Sequence, residues 1–317
     1  MKKIFALILA LACIFTLAAC GGDDKTSTVV TDTTQNTTDT STTDTADTTD
    51  VTTDEVQDET TDAALVETPA APVVVSDSDE IAADGKMVVG ITIYAPMNYM
   101  DDNGNLTGFD TEFAELVCAE LGLTPEFMEI NWDTKEIELA AKSIDCIWNG
   151  MTITPAREAE MSISLPYVKN MQVVVVKADS TVTSTADLAG QVVVAELGSA
   201  GEAQIVGEDA DANLLNAEYT GMSKQTDCLM EVKAGTAVAA VLDWTLAKTM
   251  TGDGTDYADL KIVEGLELAS EEYGIAFRKG SDMTAKVNDI IKKLVADGTL
   301  VALADKYELG LAPAIAS

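Results

Sequence analysis

Two charged residues stand where their neighbours would make them available for binding. Arg157 follows Thr152-Ile153-Thr154-Pro155-Ala156, and its guanidinium is a planar fork that pairs bidentately with a carboxylate and keeps its charge. Asp243 closes the apolar run Ala237–Leu242, at the carboxyl end of an expected strand, the edge where parallel sheets present binding groups. Each also has a plain structural role open to it. Arg157 fits the surface of the helix that Thr154-Pro155 begins, and Asp243 fits the N-cap of a helix starting at Trp244; the two roles of Asp243 are compatible. Thr154 reads as an N-cap, with Pro155 at the first helical position and Glu158 placed to close a capping box. The 317 residues include no histidine, which removes Ser-His-Asp triads, Cys-His pairs and histidine metal sites together. Acid–base chemistry would have to rest on Glu196, Glu202 or Glu271. Without a glycine-rich Lys-Ser/Thr loop the chain has no phosphate cradle of its own. Only carboxylates and thiols remain for metals, and the Thr/Asp-rich stretch before residue 85 lacks calcium-loop spacing. No metal and no cofactor is expected.

These residues need a scaffold, and strands alternate with helices from residue 86 onward. Met87–Tyr94 is a β-branched apolar run followed by the turn signal Asp101-Asp102-Asn103-Gly104-Asn105. Phe109-Asp110 opens a helix with Phe113, Leu116, Val117 and Leu121 on one face, stopped by Gly122 and Pro125. A strand near Glu126–Ile130, a helix from Asp133 to about Lys142 and a strand at Ile144–Trp148 follow. Gln172–Lys177 begins a second series, with strands at Val192–Ala195 and Ala237–Leu242 and helices starting near Ser199 and Lys224. A strand at Tyr273–Lys279 and helices at Met283–Ala296 and Leu300–Tyr307 complete the chain. Such alternation predicts an α/β fold on a parallel sheet covered by helices.

The first 85 residues have a different composition. Lys2 and Lys3 precede an uncharged run from Ile4 to Ala19, the layout of a secretory signal and too short for a comfortable membrane span. It ends in Leu17-Ala18-Ala19-Cys20-Gly21-Gly22, which resembles the bacterial lipoprotein signal and implies cleavage after residue 19, lipidation of Cys20 and a membrane anchor. Residues 20–85 are dominated by Thr and Asp, with one lysine, and cannot bury enough surface to offset their ordering entropy. They are expected to form a disordered tether. The formal charge of −35 argues against nucleic acid and anionic membrane surfaces as partners. With Cys20 acylated, Cys118, Cys146 and Cys228 remain, so at most one disulfide is possible. Cys118 and Cys146 read as buried small apolar residues.

Several segments together resemble the polar amino-acid binding proteins of ATP-driven bacterial importers. They are Gly108-Phe109-Asp110, Ile144-Asp145-Cys146-Ile147-Trp148-Asn149-Gly150-Met151-Thr152-Ile153-Thr154-Pro155-Ala156-Arg157, Leu165-Pro166-Tyr167, and Tyr273-Gly274-Ile275 before the Val287-Asn288 helix. The resemblance implies a two-lobed periplasmic-binding-protein-like fold with two hinge strands. One lobe would comprise 86–171 and 273–317, the other 172–272, with a ligand cleft between them. It further implies that Arg157 takes the carboxylate of an amino acid and Asp243 its ammonium. Thr152 and the backbone at Gly150 would complete these contacts, Tyr94 would cover one face, and Trp132, Trp148 and Asn149 would contribute to the wall around the side chain. In Gly198-Ser199-Ala200-Gly201-Glu202 the family usually has Gly-Thr-Thr, so the backbone amides at Ser199 remain while hydroxyl contacts are reduced. The expected protein is a monomer on the outer face of the bacterial cytoplasmic membrane, delivering its ligand to a permease with its ATPase. An enzyme of the dehydratase type and a ligand-sensing receptor are the alternatives on this scaffold.

Overall fold

The computed structural model describes residues 76–208 and 210–316; the leader, Cys20 and the tether up to residue 75 lie outside them. In chain order the elements are α1 (Asp77–Asp84), β1 (Lys86–Ile91), β2 (Tyr99–Met100), β3 (Leu106–Thr107), α2 (Phe109–Leu121), β4 (Thr124–Glu129), α3 (Lys135–Ala140) and β5 (Cys146–Thr152). There follow α4 (Pro155–Glu160), β6 (Met161–Ile163), β7 (Val168–Lys177), β8 (Val192–Glu196), α5 (Ala200–Val206), β9 (Glu218–Met222) and α6 (Gln225–Ala234). The last are β10 (Ala239–Asp243), α7 (Trp244–Met250), β11 (Leu260–Arg278), α8 (Met283–Ala296) and α9 (Thr299–Lys306).

The main sheet runs β4-β1-β5-β11-β7-β10-β8-β9, with β6 also on β11. The parallel sheet expected from the alternation is present as two blocks, β4-β1-β5 and β10-β8-β9. Between them, β7 and β11 are antiparallel to each other and to the strands they adjoin. The sheet is therefore mixed, because the chain passes between two lobes along these strands and must return. Their pairing extends from Lys177 beside Leu260 to Val168 beside Tyr273, broken by register shifts between residues 262 and 269.

The valine run of β7 shows why this strand lies in the interior. Val173 and Val175 enter one hydrophobic cluster, Val174 and Val176 another, and all four are at most 1 % exposed. A strand buried on both faces reads as a continuous apolar run, not an alternating one, and each such side chain contributes about 1.5–3 kcal/mol by leaving water. Phe109, Phe113, Trp148, Tyr167 and Tyr273 form the aromatic centre of the larger core. Trp148 meets Phe113 edge-on at 5.0 Å and is fully buried, so it serves this core and not the wall of a cleft.

The expected disordered tether extends too far into the chain, because residues 77–84 form α1. This helix is fixed by Ile81, 2 % exposed, by an ion pair of Asp77 with Arg278 at 2.9 Å, and by Ser78 donating through its amide to Asp282. The stretch carries one apolar anchor and uses partners two hundred residues away, so its helix has little local signature. The expected helix from Asp133 is a 3-10 turn at Trp132–Thr134 followed by the short α3. Cys118, Cys146 and Cys228 are all unpaired and buried, and burial pushes the Cys118 thiol up to about 12.

Candidate functional site

The carboxyl ends of β5 and β10 come from different lobes and meet at one narrow cleft. Tyr94, Trp132, Asn149, Gly150, Thr152 and Arg157 line it on one side, Ser199 and Asp243 on the other. The structure thus brings eight of the nine sequence candidates together, all but Trp148, and adds Thr92, Ile93, Glu196, Ala200 and Gln225. The cleft is closed down to about 10 Å³ of open space, room for about one water molecule.

Arg157 is held at the start of α4, where Thr154 Oγ1 accepts the Arg157 amide at 3.2 Å. Thr154 is the N-cap and Pro155 the first helical residue. The guanidinium donates from Nη1 to the Thr152 carbonyl at 2.8 Å and from Nη2 to the Gly198 carbonyl of the opposite lobe at 3.0 Å. Two of its five N–H groups are so engaged, and three remain for an anion. Lys135, 2 % exposed, lies beside it and donates to the carbonyls of Trp132 at 3.1 Å and Gly198 at 3.0 Å. Burial, then the positive charge of Arg157, lower its ammonium to about 8.

Asp243 occupies the N-cap position of α7, yet its side chain makes no capping hydrogen bond. Its Oδ1 accepts from Asn170 Nδ2, from Gln172 Nε2 at 2.8 Å and from the Tyr273 hydroxyl at 2.9 Å, while Oδ2 accepts from Gln225 Nε2. Four donors surround the buried carboxylate, and Oδ2 retains room for another. Asn170 and Gln172 donate to Glu271 as well. Burial and the adjacent Asp243 charge raise the Glu271 carboxyl to about 8. The two carboxyls therefore share the amide donors of β7.

Other candidates differ from expectation in what their polar atoms do. Asn149 was expected to read a ligand side chain, but Nδ2 donates to the Thr92 carbonyl at 2.9 Å and to Asn98 Oδ1 at 2.6 Å, and Oδ1 accepts from Thr92 Oγ1 at 2.7 Å. Both of its N–H donors bind its own lobe. Gly150 has no free amide, because that N–H donates to Asp110 Oδ2 at 2.7 Å. Its φ of +58° and the 2.6 Å that would separate an added Cβ from Tyr94 Cε1 explain the glycine. Asp110 is fully buried and burial raises its carboxyl to about 7. Tyr94 places its hydroxyl 2.6 Å from both Thr245 Oγ1 and the Tyr273 hydroxyl, a link between lobes. Ser199 caps α5 by accepting the Glu202 amide at 3.0 Å, and its own amide donates to the Glu196 carbonyl at 3.2 Å. The expected amides at Ser199 are thereby displaced to Ala200 and Gly201, the first of the helix, which have no intrahelical acceptor. Thr152 and Trp132 are each 6 % exposed on the wall.

Of the three carboxylates considered for acid–base work, Glu202 accepts the Gly198 amide at 2.7 Å and the Tyr219 hydroxyl at 2.8 Å, and Glu271 belongs to the β7 amide network. Glu196 alone lines the cleft. Gln225 was not singled out from the sequence: it opens α6 with no motif around it, and only the fold places its amide against Asp243.

Comparison with known proteins gives a consistent result. The sequence profile of the bacterial extracellular solute-binding proteins, family 3, matches residues 87–310. The L-cystine-binding protein TcyJ of Escherichia coli K12 is 29 % identical over 233 residues, covering 72 % of this chain and 85 % of TcyJ. A crystal structure of the P235GK mutant of ArgBP from T. maritima is 32 % identical with a TM-score of 0.67, over 73 % of this chain and 99 % of that one. The ancestral amino acid-binding protein AncCDT-1, described as a precursor of cyclohexadienyl dehydratase, is 31 % identical with a TM-score of 0.65, over 73 % and 99 %. With its two-lobed α/β fold and a profile match across both lobes, this chain belongs to the bacterial extracellular solute-binding proteins, family 3.

Proposed function

We propose that the protein captures an amino acid by closing its lobes and delivers it to an ABC importer. The observation that carries this reading is the placement of Arg157 and Asp243, a cation and an anion from different lobes, on one buried cleft. A zwitterion requires both, and partial desolvation strengthens each contact. Arg157, Thr152 and the first amides of α5 would receive the carboxylate, Asp243 the ammonium, and Tyr94 and Trp132 the apolar part of the ligand. Contacts made only with both lobes in place would shift the hinge equilibrium toward closure. In this reading one lobe comprises 86–171 and 273–317 and the other 172–272, the protein acts as a monomer, and it catalyses no reaction. Residues 1–19 are the signal, lipidated Cys20 anchors the chain outside the cytoplasmic membrane, and mass spectrometry of the mature N-terminus tests this directly.

Thermal-shift titration against the common amino acids and cystine tests capture. Ligand at a hundred times its dissociation constant should stabilise the protein by about 2.7 kcal/mol. Arg157→Ala should abolish that shift while the unliganded protein still melts cooperatively; no shift with any amino acid on the parent protein would sink the proposal. A dehydratase reading is favoured by one observation, the cleft carboxyl of Glu196, which burial and Asp243 raise to about 8. Turnover of a candidate substrate by the purified protein would favour it over capture.

A further inference from the structure

Glu196 is the carboxylate on the cleft wall that the grip on an amino-acid backbone does not require. It ends β8, and the parallel register of β8 with β10, which sets Ala240 beside Val194, brings it to the same sheet edge as Asp243. It is 4 % exposed. The two carboxylates are served unequally. Asp243 accepts from four side chains, whereas Glu196 is offset by the charge of Lys135 and by the Gln225 amide that Asp243 also uses.

The nearby cations have other partners. Lys135 has three N–H groups, and it contacts the Trp132 carbonyl, the Gly198 carbonyl and the Glu136 carboxylate at 3.1, 3.0 and 3.2 Å. Arg157 directs its two terminal nitrogens to the carbonyls of Thr152 and Gly198. Among the described residues no ion pair reaches Glu196 within 4.0 Å. Burial and the neighbouring Asp243 raise its carboxyl to about 8, outweighing the charge of Lys135, which makes no ion pair with it.

Once a zwitterion has placed its carboxylate on Arg157 and its ammonium on Asp243, Glu196 remains a buried acid without an ion-pair partner of its own among the described residues. A neutral ligand side chain would leave it uncompensated or hold it protonated, and an acidic one would repel it. An ammonium or guanidinium supplies the missing charge, the guanidinium through two parallel hydrogen bonds. Resting on the amino-acid capture proposed above, we infer that Glu196 determines specificity by receiving a cationic side chain, so that the ligands are basic amino acids.

Isothermal titration of the purified full chain at pH 7 against arginine, lysine, citrulline, glutamine, glutamate and cystine tests this. Arginine or lysine should bind about 100-fold or more tighter than citrulline, the neutral isostere of arginine, as loss of a buried charge partner requires. Glu196→Gln should reduce the arginine-to-citrulline preference below about tenfold, and Glu196→Asp should retain more of it than Glu196→Gln does. Comparable or tighter binding of citrulline, glutamine, glutamate or cystine by the parent protein overturns the inference and leaves amino-acid capture standing. So does an unchanged preference in a folded Glu196→Gln variant, and if that variant does not fold the parent's ranking decides alone. Binding of none of the six by a folded parent protein overturns both.

Discussion

Asn149 and Arg157 lie on the same wall and are used in opposite ways. The amide of Asn149 bonds within its own lobe, while the guanidinium of Arg157 keeps three donors for whatever enters the cleft. Asn149→Ala would leave the Thr92 carbonyl and Asn98 Oδ1 without donors in the interior. It should cost about 2–4 kcal/mol, by the penalty for buried groups left unpaired, seen as a lower urea midpoint. The order in which amino acids bind should not change; a reordering would return Asn149 to the side-chain wall. The sequence distinguishes these two residues poorly, because type and position nominate both. What separates them is Thr92 and Asn98, more than fifty residues back, and no spacing rule reveals that pairing.

At the scale of elements, the site depends on very short pieces of helix. α4 has six residues, too few to be stable by propensity alone, yet it carries Arg157 on its first turn. Its N-cap bond from the Arg157 amide to Thr154 Oγ1 therefore positions the ligand-facing residue itself. Thr154→Ala should destabilise the protein by about 1 kcal/mol and weaken ligand binding several-fold, whereas Thr154→Ser should restore both. Equal affinity of the Ala variant, measured by titration, would separate the cap from the site. This cap was legible as Thr-Pro before a helix, and α2, α8 and β8 were legible from their periodicity. The strand β11 was not, apart from its final part: over residues 260–272 Leu260, Ile262, Val263, Leu266 and Leu268 are interrupted by Glu264, Gly265 and Glu267 with no steady period, and only pairing with β7 makes it a strand. β9 and the β2–β3 hairpin, whose strands have five, two and two residues, are too short to show a readable period.

The whole molecule carries its charge unevenly, with three interior acids whose carboxyls burial pushes upward. Burial raises Asp110 to about 7, and burial followed by the charge of Asp243 raises Glu196 and Glu271 to about 8. An unfolded chain ionises the same groups near pH 4. Between about pH 4 and 8 the folded state therefore binds more protons, and the stability these groups provide is lost as pH rises through their folded values. Lys135, lowered to about 8, acts with the opposite sign above that pH. The unliganded protein should melt at least about 3 °C higher at pH 5 than at pH 8, the shift that roughly 1 kcal/mol produces in a chain of this size; a flat or rising profile would mean these carboxyls ionise freely. With the lobes divided at 172 and 272 as proposed above, the pairing of Lys169 with Glu272 has a different consequence, one of engineering. The chain leaves for its second lobe and returns from it at neighbouring points of one two-stranded ladder. On that division a single pair of splice points, side by side on the ladder, is where a relative's lobe would be exchanged for this one.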